Sequence, residues 1–63
     1  MNFLDLFAQK LREKREQKKI TQRELAERLN MCTRTVIEIE KSKRNPKFET
    51  VALISEEMDI SLD

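Results

Sequence analysis

Residues Thr21 to Pro46, TQRELAERLNMCTRTVIEIEKSKRNP, read as two short amphipathic helices joined by a turn of only three residues, Asn30, Met31 and Cys32. This spacing constrains the chain more than any other feature. It turns Leu25, Ala26 and Leu29 of the first helix and Val36 and Ile39 of the second toward one core, and it leaves a polar face of the second helix free. The order Thr21-Gln22-Arg23-Glu24 predicts a capping box. The Thr hydroxyl accepts from the Glu24 amide, and the Glu carboxylate returns to the Thr amide. Ile20 before the cap and Leu25 after it are placed for a hydrophobic staple. This helix starts at Gln22 and stops near Asn30, a residue that tolerates the left-handed backbone of a helix end. The next starts after Cys32 or Thr33 and runs to about Lys41.

The flanking segments follow the same period. Phe3, Leu4, Phe7, Ala8 and Leu11 predict a first helix from about Asn2 to Lys18, whose front half binds the core. Pro46 disfavours helical geometry at Asn45 and lacks an amide, so Ser42 to Lys47 is expected to be a loop. Phe48, Val51, Ile54 and Met58 form the apolar stripe of a fourth helix, continued by Ile60 and Leu62. The chain has no glycine, although three tight connections call for left-handed residues. Lys19, Asn30 and Ser42 occupy those places, and Lys or Ser there costs roughly 1 kcal/mol relative to Gly. The expected fold class is all-α, a single domain over residues 1–63 with four helices, or five if the segment after Asp59 adds a turn.

Sixty-three residues hold one small core. The lone cysteine, Cys32, has no disulfide partner and, with no His in the chain, no companion ligand for a metal. The reducing cytoplasm is therefore the expected location, and no cofactor is expected. The apolar start, MNFLDLFAQK, has no basic leader and no long apolar run, so it reads as part of the fold rather than as an export or membrane segment. Hydroxyl and thiol nucleophiles exist, but without His, Tyr or Trp no general base is placed beside them, which argues against an enzyme.

The net charge of +1 conceals a polarity. From Lys10 to Arg23 seven basic residues face two acidic ones, whereas Glu49 to Asp63 carries five acidic residues and no basic one. Such a distribution suits a module that turns one side to a polyanion, and solvation of a highly charged chain is the plainer alternative.

The combination of LREKREQKKITQRELAERL, RTVIEIEKSKRNP and FETVALISEEMDISLD resembles the Cro/C1-type helix-turn-helix regulators, the XRE family, over almost the whole chain. The resemblance implies a compact lambda-repressor-like domain that binds double-stranded DNA in sequence-specific fashion as a transcriptional regulator, expected to be a repressor. It implies that the third helix enters the major groove and that dimers read inverted-repeat operators. The short region beyond the fourth helix predicts weak dimerisation away from DNA.

Carried over by position, Thr33, Arg34, Thr35 and Glu38 match the base-reading residues. Arg34 leads, because a guanidinium pairs in bidentate fashion with guanine O6 and N7. Glu38 either accepts from cytosine N4 or repels phosphate and limits where the helix settles. Gln22 and Arg23, with Lys41, Lys43, Arg44 and Asn45, match the phosphate-binding residues. Arg15 and Glu40 match a structural ion pair of the family rather than its binding surface. Several positions depart from the pattern. Cys32 replaces the usual Ser or Thr cap, which allows Thr33 to cap in its place. Ile37 reads as a surface apolar residue or a thymine contact, and Leu53 and Glu57 as altered packing or a dimer contact.

The alternative function is a small helical protein-interaction module, such as an antitoxin that binds a partner protein through Leu53, Met58, Ile60 and Leu62. An RNA-binding module is weaker, since the three Phe all fall on apolar stripes rather than on a stacking surface.

Overall fold

Asn2 and Thr21 start two of the four helices in residues 2–60, the part of the chain that the computed structural model describes. The first helix, α1, spans Phe3–Gln17. Asn2 is extended and accepts the Asp5 amide at 2.9 Å, which satisfies one of the unpaired donors of the first turn. The second, α2, spans Gln22–Arg28 behind the complete capping box. The Glu24 amide donates to Thr21 Oγ1 at 3.0 Å and the Thr21 amide donates to Glu24 Oε1 at 2.9 Å. Helices α3 (Thr33–Glu40) and α4 (Phe48–Met58) follow Cys32 and Lys47, neither of which makes a side-chain capping bond. Thr33 is the first residue of α3, so it does not take over the cap that the thiol leaves unfilled.

Each helix is closed by a residue in the left-handed region, Lys19 (φ 57), Asn30 (φ 56), Ser42 (φ 59) and Asp59 (φ 56). The next amide then reaches back to a carbonyl of the last turn: Ile20 to Arg15 at 3.1 Å, Met31 to Ala26 at 2.9 Å, Lys43 to Glu38 at 2.9 Å and Ile60 to Ser55 at 2.9 Å. These are Schellman-type ends, in which an apolar residue after the left-handed one turns into the core. Ile20, Met31 and Ile60 do so here. The first three left-handed positions agree with the sequence reading, and Asp59 is a fourth that it lacked.

Leu11, Leu25, Val36, Ile39, Ile54 and Met58 are fully buried and join the four helices into one core. Helix α3 packs on α2 and α1, and α4 packs on α1. The buried stripes are shorter than their sequence spacing predicts. Phe3 is 58% exposed, although its ring stacks on Phe7 at 6.0 Å, and Phe48 is 77% exposed. Both are the first residue of their helix and stand one turn outside the core, which begins at Phe7 and at Val51. Leu4 is only half-buried. Met58 and Ile60 are buried, so they are not available to a protein partner as the sequence reading proposed. Leu62, and a further turn beyond Ile60, lie outside the described residues.

Candidate nucleic-acid interface

The orientation of α3 is held by its last residue. Glu40 has a side chain only 3% exposed and receives three donors from two other parts of the fold. Arg15 Nε of α1 donates to Oε2 at 2.7 Å and Arg15 Nη2 to Oε1 at 3.2 Å, while Gln22 Nε2, at the start of α2, donates to Oε1 at 3.1 Å. The remaining arm of the guanidinium, Nη1, donates to the Ile20 carbonyl at 3.0 Å. A forked, charge-assisted pair of this kind fixes direction as well as distance. The bond to Glu40 raises the Arg15 pKa above its ordinary value, against the opposing effect of burial. One carboxylate therefore ties α1, the start of α2 and the end of α3 together, and the expectation of a structural Arg15–Glu40 pair is met.

With Val36 and Ile39 buried on one side, α3 turns its other side outward. Arg34 is 88% exposed and Thr33 and Thr35 are half-buried. One turn beyond Arg34, Glu38 lies between two cations. Arg34 Nε is 3.6 Å from Oε2, an ion pair too long to be a hydrogen bond, and Arg44 Nε donates to Oε1 at 2.9 Å. Arg44 comes back to α3 because the left-handed Ser42 reverses the chain and the Lys43 amide binds the Glu38 carbonyl. Past that point, Thr35, Arg44, Asn45 and Lys47 line an open cleft of about 370 Å³ between α3 and the start of α4.

The fold thus brings Arg34, Thr35, Glu38, Arg44 and Asn45 onto one edge, with Lys41 and Lys43 exposed in the turn between them. Gln22 is at the start of α2 as expected, but its side-chain amide nitrogen is engaged by Glu40, which leaves its oxygen and its backbone amide for any other partner. Arg23 is exposed and lies 3.8 Å from Glu27 in a pair open to solvent. Two features were not anticipated. Lys47 belongs to the cleft, continuing the basic loop across Pro46, and its charge next to Lys43 and Arg44 was the signal for it. The double pairing of Glu38 left half a signal, the i, i+4 spacing from Arg34. Its contact with Arg44 depends on the loop reversal.

The helix-turn-helix family model matches residues 11–63 of the chain. The chain is 34% identical over 58 residues, 92% of its length, to a Bacillus subtilis (strain 168) protein described as an uncharacterized HTH-type transcriptional regulator, YqaE. It spans about half the length of that relative. No solved structure matches the chain.

Proposed function

The chain belongs to the Cro/C1-type helix-turn-helix family, and on that premise we propose that it binds double-stranded DNA sequence-specifically as a cytoplasmic transcriptional regulator, a repressor, with α3 in the major groove. The observation that carries this reading is the single edge formed by Arg34, Thr35 and Glu38 with the basic turn from Lys41 to Asn45, presented by a helix whose other side is locked through Glu40. Thr33, Arg34, Thr35 and Glu38 contact base edges, with Arg34 on guanine. Lys41, Lys43, Arg44 and Asn45 hold phosphate, together with Arg23 and Gln22, the latter through its backbone amide. Two copies bind an inverted repeat.

Selection of duplexes from a random library tests the reading. Enrichment of an inverted repeat supports it, and no enrichment at low salt overturns it. A protein-interaction role is favoured by one observation, the exposed apolar side chains Phe3, Leu6, Phe48 and Leu53. On that reading, alanine at these positions abolishes a complex with a partner protein while Arg34→Ala leaves it intact.

A further inference from the structure

The geometry points to Glu38 as a competing anion built into the reading face, one that occupies Arg34 and Arg44 in the free protein and releases them fully only where a base donor takes their place. This rests on the DNA-binding reading above and assigns Glu38 a part in specificity that goes beyond base contact.

Glu38 is only 29% exposed, whereas Arg34 and Arg44 are 88% and 53% exposed. The carboxylate is therefore the shielded centre and the guanidinium groups are its outer shell. The loop returns to the same residue twice. The Glu38 carbonyl receives the Lys43 amide at 2.9 Å and the carboxylate receives Arg44 Nε at 2.9 Å, so Arg44 is positioned by backbone geometry as well as by charge. Among the described residues, the ion pairs engage Arg34 and Arg44 but not Lys41, Lys43 or Lys47. The lysines are left to attract any polyanion. The two arginines of this edge, which can make forked, directional contacts, each have their Nε turned to Glu38 instead.

On a random duplex, a phosphate that takes Arg44 exchanges one anion for another and leaves the Glu38 carboxylate with only its longer contact to Arg34, beside a polyanion. That exchange gains little and adds repulsion. At a site that offers guanine to Arg34 and a cytosine amino group to Glu38, every member of the cluster finds a partner. Glu38 thus weakens binding to random sequence more than binding to the selected site, a discrimination achieved by penalising the wrong partner.

The test measures affinity for the library-selected duplex and for random duplex over a range of salt, using wild type, Glu38→Gln, Arg44→Gln and the double variant. Thermal melting checks that each is folded. Glu38→Gln is expected to bind random duplex roughly two- to fivefold more tightly, the scale of an exposed ion pair. Its salt slope steepens by about 0.9, one further phosphate contact, and the ratio of selected to random affinity falls. In the Arg44→Gln background the gain shrinks. An equal gain in both backgrounds means simple repulsion and overturns the proposal, as does no gain at all while wild type binds DNA. The arginine Nε–H resonances give a reading without DNA. They shift for Arg44 on Glu38→Gln in the free protein if the pairing exists, and an unchanged resonance overturns it. Failure of wild type and Glu38→Gln alike to bind any duplex at low salt, with that shift present, overturns the DNA-binding reading and with it the role of Glu38 in discrimination.

Discussion

Arg15 and Glu40, 25 residues apart in sequence, meet through an Nε–Oε2 contact of 2.7 Å in which the carboxylate is almost wholly buried. Their pairing sets the direction of α3 relative to α1. It also accepts Gln22, so the start of α2 is referred to the same carboxylate.

Removing one partner strands the other. Arg15→Met leaves the Glu40 carboxylate with Gln22 as its remaining donor, and a destabilisation of about 3 to 5 kcal/mol is expected. In a small domain that is a large share of the total stability, so chemical denaturation should find the variant largely unfolded at ordinary temperature. An unfolding midpoint close to that of wild type would show that the pair contributes little.

On the proposed function, base reading and phosphate binding should separate by substitution. Arg34→Ala is expected to weaken binding to the selected duplex by about 1 to 3 kcal/mol and binding to random duplex far less. Lys43→Ala is expected to weaken both alike and to reduce the salt slope by about 0.9. Titration of both duplexes by fluorescence anisotropy at several salt concentrations distinguishes the two patterns.

The left-handed ends predict stabilisation by glycine. Lys19 has φ 57, its side chain is exposed, and its amide donates to the Glu16 carbonyl at 3.1 Å, a bond that glycine preserves. Lys19→Gly relieves a Cβ clash of roughly 1 kcal/mol, offset in part by the greater freedom of glycine in the unfolded chain. A melting temperature raised by a few degrees is expected. A lower melting temperature would mean that unfolded-state entropy outweighs the clash.

Cys32 offers a second stabilising change. It precedes α3 with extended backbone, φ −74 and ψ 145, the geometry of a helix cap, but its thiol makes no capping bond. Cys32→Ser supplies an oxygen acceptor for the first-turn amides and should add about 1 kcal/mol, read from denaturant midpoints.

The capping box confers a pH dependence. The Thr21 amide, and then the Thr21 side chain, hold the Glu24 carboxyl below its ordinary pKa, so the folded state favours the ionised form. The stabilisation is fully present above the ordinary glutamate value and is lost as pH falls through the lowered one. The difference in melting temperature between wild type and Glu24→Gln should therefore narrow between about pH 7 and about pH 3. A constant difference over that range would rule out this linkage.

Much of the fold was legible because its determinants are local. The capping box needs only Thr21 and Glu24 within one turn, and the left-handed ends at Lys19, Asn30 and Ser42 follow from where the apolar period breaks. Asp59 escaped because Ile60 and Leu62 prolong the apolar pattern and hide the helix end. Phe48 was misread for a related reason. Periodicity marks the face of a helix but not how far along that face the core extends.

The sequence by itself determined the four helices and their principal starts and stops, because apolar residues and capping groups three to five positions apart decide those matters. Its motifs along almost the whole chain determined the family to which it belongs. Tertiary structure decided the partners. That Gln22 shares Glu40 with Arg15, that Arg44 returns to Glu38, and that Met58 and Ile60 are buried while Phe3 and Phe48 are not depend on how helices cross and loops reverse. Those distances are set by packing around Leu11, Leu25, Ile39 and Ile54, groups brought together from all four helices, which no local pattern of residues encodes.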